Sequence, residues 1–238
     1  MERPLSASQF DSASVISVLR NLKIDCSSNT QVIVRSGTSV GSDDGKKVLT
    51  LTGDKTLDIT TSGVNGLDTG AEAGNTWYYV YLIWNPTTAL VNGLLSASAT
   101  APTLPSGYTK KRLIGAVRND GSSNFLRFKQ VCNRCYYSDS VPQRILTGGT
   151  ATSFTSVSVA SYIPTTVSYE GMFSLGNQGG TGTSFLGYDG TNWLAATNPA
   201  PNSGWEVNNI VIPHNSGNVY YYTNTAATIW VFGFVLDL

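Results

Sequence analysis

Thr76-Trp77-Tyr78-Tyr79-Val80-Tyr81-Leu82-Ile83-Trp84 is the stretch whose reading decides the fold. Its last eight residues are all apolar or aromatic. Side chains of a strand alternate between faces, which sets Trp77, Tyr79, Tyr81 and Ile83 on one side and Tyr78, Val80, Leu82 and Trp84 on the other. A strand with one wet face alternates apolar with polar residues; here both faces are apolar, so both are expected under cover. Each ring buries roughly 150–250 Å², an upper bound on the order of 4–6 kcal/mol at about 25 cal/mol/Å². One cover is the core of the strand's own domain. The other is a second sheet or another subunit. The closing stretch, Ile229-Trp230-Val231-Phe232-Gly233-Phe234-Val235-Leu236, has the same character. Alternation there sets Trp230, Phe232 and Phe234 on one face and Ile229, Val231 and Val235 on the other, as in a strand at the middle of a sheet. The two ribbons together predict a homo-oligomer, a trimer, with Trp77, Tyr79, Tyr81, Trp230, Phe232 and Phe234 at the interface.

Working outward, short apolar segments recur between turn clusters. Gln31–Arg35, Lys47–Leu51 and Thr56–Thr60 precede the aromatic stretch, and Leu90–Ala97, Lys111–Arg118 and Phe125–Val131 follow it. Asn119-Asp120-Gly121-Ser122-Ser123-Asn124 carries the Asp-Gly signal of a tight hairpin. The pattern lapses into Ser, Pro, Gly and Thr at 138–151, then resumes with Ser153–Ala160, Val167–Leu175, Thr183–Tyr188, Trp193–Ala196, Glu206–Ile212 and Val219–Thr223. Turn signals every 8–12 residues and no amphipathic helix beyond residue 22 predict an all-β chain. We expect an N-terminal arm or short helix over 1–21, a first β-sandwich lobe over 22–140, and a second, jelly-roll-like lobe over 141–238.

Composition narrows the function. Charged residues are 13% of the chain and the formal net charge is zero, so no long-range field draws it to nucleic acid or anionic lipid. The 27 Ser, 27 Thr and 18 Asn make a surface of hydroxyls and amides. Eight Lys/Arg against Asp120 and Asp139 between Lys110 and Arg144 form the one local imbalance; without interleaved aromatics they read as solvated faces or salt-bridge partners. No signal peptide and no apolar run of membrane-spanning length is visible. Neither nucleic acid nor membrane insertion is expected, and the three cysteines (Cys26, Cys132, Cys135) fit assembly in a reducing cytoplasm.

Catalytic patterns are weak. Gly37-Thr38-Ser39-Val40-Gly41 matches a nucleophile elbow, but turn residues follow where a helix is needed, and the single His214 sits beside Pro213 in a loop. Cys132-Asn133-Arg134-Cys135 is half of a zinc knuckle, and its thiols converge only if Asn133-Arg134 turns. No metal, cofactor or enzymatic activity is expected. Tyr188-Asp189-Gly190-Thr191-Asn192-Trp193 and Asn202-Ser203-Gly204-Trp205 set aromatics beside amides, as a sugar site does. Tyr188, Asp189, Asn192, Trp193 and Trp205 are therefore the candidate ligand residues, the competing reading being that both tryptophans open strands and face the core.

Asp68-Thr69-Gly70, Thr76–Tyr81, Ala101-Pro102-Thr103-Leu104-Pro105-Ser106-Gly107-Tyr108, Ile114-Gly115-Ala116-Val117 and Asp120–Leu126 together resemble a group of tailed-phage and prophage virion proteins. The resemblance covers residues 22–137 and consists of strand, loop and hairpin words without a catalytic residue. It implies a structural protein located in the virion, with other tail or head proteins as partners. The resulting expectation is a tail fibre, tip or receptor-binding component that adheres multivalently to the host surface, with a surface glycan as its partner. The alternatives are a head decoration or tail-cementing protein, then a polysaccharide depolymerase or a free carbohydrate-binding module.

Overall fold

The computed structural model describes residues 18–26, 28–138, 143–178, 182–197 and 206–238. Among these, every regular element is a strand. The first lobe supplies β1 (Leu19–Arg20), β2 (Lys23–Cys26), β3 (Gln31–Val34), β4 (Ser39–Gly41), β5 (Val48–Thr50), β6 (Lys55–Asp58), β7 (Trp77–Trp84), β8 (Val91–Ser96), β9 (Lys110–Arg118), β10 (Phe128–Val131) and β11 (Arg134–Tyr137). The second supplies β12 (Gln143–Gly149), β13 (Thr155–Ser158), β14 (Ser168–Gln178), β15 (Ser184–Gly187), β16 (Trp193–Thr197), β17 (Glu206–Pro213), β18 (Asn218–Thr223) and β19 (Ala226–Leu236). The expected arm lies largely outside the described residues; its visible end, β1, pairs with β4 through Leu19 and Val40.

One sheet of nine strands runs through both lobes in the order β17-β14-β19-β11-β10-β2-β3-β6, with β12 beside the first half of β19. The last strand is the seam. β14 pairs along one of its edges, while the other edge takes β12 over Ala227–Val231 and β11 over Gly233–Val235. Over the second-lobe end of this layer lies a sheet in the order β13-β18-β15-β16. The facing orders β12-β19-β14-β17 and β13-β18-β15-β16 are those of an eight-stranded jelly roll. Over the first-lobe end lies β8-β7-β9, with β7 central. The two layers approach closely because glycines face them: a Cβ on Gly115 would lie 2.7 Å from Ile24 Cδ1, and one on Gly93 2.5 Å from Leu57 Cδ1.

The aromatic ribbon is buried from Tyr78 to Ile83, with Tyr81 only 1% exposed. On one face Val80 lies over Gly115, and the Tyr78 ring meets Phe125 edge-on at 6.5 Å. On the other face the chain's own second lobe meets Trp77 and Tyr79, and the first lobe meets Tyr81. Trp77 Nε1 donates to the carbonyl of Ala160 at 2.9 Å, and its ring stands edge-on to Phe234 at 5.7 Å. The Tyr79 hydroxyl is 2.7 Å from Thr166 Oγ1, and Tyr81 donates to the Ser98 carbonyl at 2.9 Å. These contacts correct the premise drawn from the sequence. Trp77, Tyr79 and Tyr81 were assigned to a neighbouring copy, and the inner cover they need is intramolecular.

Phe234 moves for a different reason. Met172 pairs with Gly233 but Phe173 pairs with Val231, so Phe232 is the extra residue of a β-bulge. The bulge shifts the alternation by one. Phe234 therefore turns inward, buried against Trp77 and Tyr137, while Trp230, Phe232 and Val235 stay half-buried on the outer face. Gly233 is required here: a Cβ would lie 2.1 Å from the carbonyl oxygen of Cys135.

Candidate functional site

The outer face of the sheet β13-β18-β15-β16 carries the candidate residues. Asp189-Gly190-Thr191-Asn192 closes the hairpin between β15 and β16, as the turn chemistry predicts. Asp189 Oδ1 accepts from the backbone N–H of Thr191 at 2.8 Å and of Asn192 at 2.6 Å, and Oδ2 accepts from Asn192 Nδ2 at 3.0 Å. These bonds, the Asn192 side chain foremost, hold the Asp189 carboxyl below the usual carboxylate range. Asp189 and the Asn192 amide are thus occupied in building the turn. Their part in a site is to hold its edge.

That edge sets the orientation of Trp193. The β15–β16 pairing slips between Leu186 and Gly187, so Trp193 lies opposite Gly187 and Ala195 opposite Leu186. Only glycine fits at 187, where a Cβ would come within 2.0 Å of the Asn192 carbonyl oxygen. Ala195 and Leu186 take the inward positions, and Trp193 opens the strand 54% exposed. The core-facing alternative for this residue is thereby set aside. Trp205 lies outside the described residues.

Trp193 ends a row of rings. Its centroid is 5.2 Å from that of Phe185 at 63°. Phe185 stacks on its cross-strand partner Tyr222 at 4.7 Å and 5°, and Phe154 meets Tyr222 edge-on at 5.8 Å. The row crosses the sheet, and the residues of opposite parity, Leu186, Val219 and Tyr221, fill the core beneath it. Half-buried Tyr188 stands beside the turn. The exposed Trp193 ring can stack on the C–H face of a sugar, while Phe185 and Tyr222, stacked on each other, and the hydroxyls of Tyr220, Tyr222 and exposed Ser156 line the same sheet face. Reading by segment missed Phe154, Phe185 and Tyr222. The signal was available in the alternation of Thr183–Tyr188 and Val219–Thr223, which sets Phe185 and Tyr222 outward once Leu186 and Tyr221 point in.

The other motifs do not assemble into chemistry. Ser39 bonds Thr50 across β4 and β5 at 2.9 Å. His214 lies in the other lobe, its Nε2 2.7 Å from the Ser168 carbonyl and its Nδ1 accepting from Gly217 N–H. Cys132 begins the β10–β11 turn with φ 53° and is exposed, whereas Cys135 is buried against Gln130 Oε1 at 3.3 Å. One thiol thus meets solvent and the other the core. Among the described residues no three His, Cys, Asp or Glu side chains gather as metal ligands. The basic band is partly spent inside the chain: Lys110 pairs with Asp44, Lys111 with Asp43 at 2.6 Å, and Arg118 lies over the Trp77 ring and donates to the Ser161 carbonyl. A cleft of about 300 Å³ beside Tyr81 is lined by that Lys111–Asp43 pair together with Arg112, Leu113 and Asp237.

No protein-family model matches this chain, and no curated protein matches it in sequence.

Proposed function

We propose that this protein is a structural, adhesive component of a tailed-phage-type virion, and that its second lobe binds a host-surface glycan through the ring row Trp193–Phe185–Tyr222–Phe154. The observation that carries the reading is Trp193, a large ring held outward by a bulge and a carboxylate-capped turn at the end of a stacked aromatic row. A side chain that size gains more from burial than any other, and a turn built to expose it supports a binding role. Resemblance of residues 22–137 to virion proteins supports the setting, with the first lobe on the particle and the second displayed. The mechanism is adhesion, in which weak contacts are multiplied by valency.

Glycan-array binding by the full chain tests this. Trp193→Ala is expected to lower binding to the best ligand about tenfold, the worth of one aromatic contact of roughly 1–1.5 kcal/mol. The hairpin itself is held by Asp189 and survives the change. Silence of the unaltered protein on the array would transfer support to the decoration or cementing role.

A further inference from the structure

Charge is divided unequally along this chain. All fifteen Lys and Arg lie at or before Arg144, and residues 145–238 contain none. At the chain's mean frequency about six would fall in that stretch, so a low overall charge does not account for the gap. The same stretch holds Glu170, Asp189, Glu206 and Asp237. With His214 neutral it carries −4, against +4 for residues 1–144. The ring row lies where this matters most. β13, β15, β16 and β18 contain no charged residue. Ser156, Tyr220 and Trp193 follow one another across the strands, with Gly187 between the last two, and Phe185 pairs with Tyr222 in the next row. The strands thus offer rings and hydroxyls. The charge nearest in sequence to Trp193 is Asp189, which the hydrogen bonds of its turn keep ionised at neutral pH. Neither cation at the lobe boundary serves this face. Arg118 is spent on the carbonyls of Ser161 and Asn75 and on the Trp77 ring, and Arg144 lies opposite Trp230 in the other sheet.

We infer that the ring row selects an uncharged glycan, and that sugars bearing carboxylate, phosphate or sulfate are excluded from it. The inference rests on the glycan reading above and narrows it to one class of ligand. An anionic sugar laid on Trp193 gives up part of its hydration. No guanidinium or ammonium group is at hand to replace that hydration with charge-assisted hydrogen bonds. The same sugar meets the fixed negative charge of Asp189 and, at longer range, the field of a stretch without a single Lys or Arg. A neutral sugar meets neither cost. Its C–H face covers the indole, and its hydroxyls exchange water for those of the sheet. Long-range attraction then contributes nothing, so affinity comes from short-range contact and holds in salt.

Array binding of the full chain at about 0.05 M and about 0.5 M sodium chloride tests this, followed by titration with the best ligand and with its C6-oxidised, uronate form. Neutral glycans should make up the hits, with affinities that move less than about twofold between the two salt concentrations. Oxidation should weaken binding at least about fivefold at low salt, the repulsion of one charge pair about 4 Å apart in water, and the difference should shrink at high salt. Best ligands that carry phosphate, sulfate or carboxylate overturn the inference and leave glycan adhesion standing, as does a uronate form that binds as tightly as its parent. A chain silent toward every glycan at both salt concentrations overturns the glycan reading itself, and this inference with it.

Discussion

Replacing Phe234 by alanine should lower the stability of both lobes at once. The ring is 1% exposed and stands between Trp77 of β7 and Tyr137 of β11, with centroids at 5.7 and 6.0 Å. Its backbone pairs with Cys135 on one side and Gly171 on the other, so it belongs to both halves of the nine-stranded sheet. Truncating a buried phenylalanine costs about 3–5 kcal/mol, a figure that already contains the two edge-to-face contacts of roughly 0.5–1.5 kcal/mol each. For chains of this size one kcal/mol moves the midpoint by about 2–4 °C, which predicts a fall on the order of 10 °C. Differential scanning calorimetry of the full chain should show one transition, displaced as a whole, because the lobes share a sheet, a tryptophan hydrogen bond to Ala160 and the Tyr79–Thr166 contact. Trp193→Ala, on an exposed ring, should leave the same transition within about 0.5 kcal/mol of its original position. Two separate transitions of which only one moves, or a displacement below about 2 °C, would refute the claim that β19 welds the lobes together.

Smaller perturbations test the remaining contacts. Tyr79→Phe removes one hydroxyl from the lobe junction and should cost about 0.5–1.5 kcal/mol in denaturant unfolding, provided Thr166 rehydrates. In native protein a thiol reagent should titrate Cys132 alone, since Cys26 and Cys135 are buried and burial pushes the Cys135 thiol well above its ordinary value; three should react after unfolding. Lys110, then Ser42, hold the Asp44 carboxyl well below the usual carboxylate range. A depressed carboxylate stabilises the fold above its unfolded value, about pH 3.9, and loses that contribution as pH falls through the folded value. Asp44→Asn should therefore flatten the dependence of the thermal midpoint on pH below about 4, more visibly at low salt because the pair is exposed; superimposable curves would count against the pairing.

Much of the chain was legible without coordinates. Trp77–Trp84 has the bounds its composition predicts, and β3, β5, β8, β10, β13 and β15 fall inside the segments read as strands, while β14 runs on to Gln178 beyond its segment. The Asp120 and Asp189 turns close as expected, with each carboxylate accepting two backbone N–H groups. Strand alternation and turn chemistry are local properties, determined within a few residues, so one sequence suffices to read them. β11 and β12 were harder. Gln143–Gly149 carries little apolar signal and pairs with β19 through two register shifts, so it is a strand only because a partner lies beside it.

What covers each face was decided by the tertiary structure alone. The sequence stated that the ribbon at 77–84 must be dry on both sides; it did not state that the loop after β13 and the last strand of the same chain would do the covering. The bulges at Phe232 and Leu194 reversed two alternations, sending Phe234 inward and Trp193 outward. A bulge depends on the hydrogen-bond register of two strands distant in sequence, and no local pattern encodes that register. Burial demand is thus written in the residues themselves, whereas the identity of the covering partner emerges only when the strands are laid side by side.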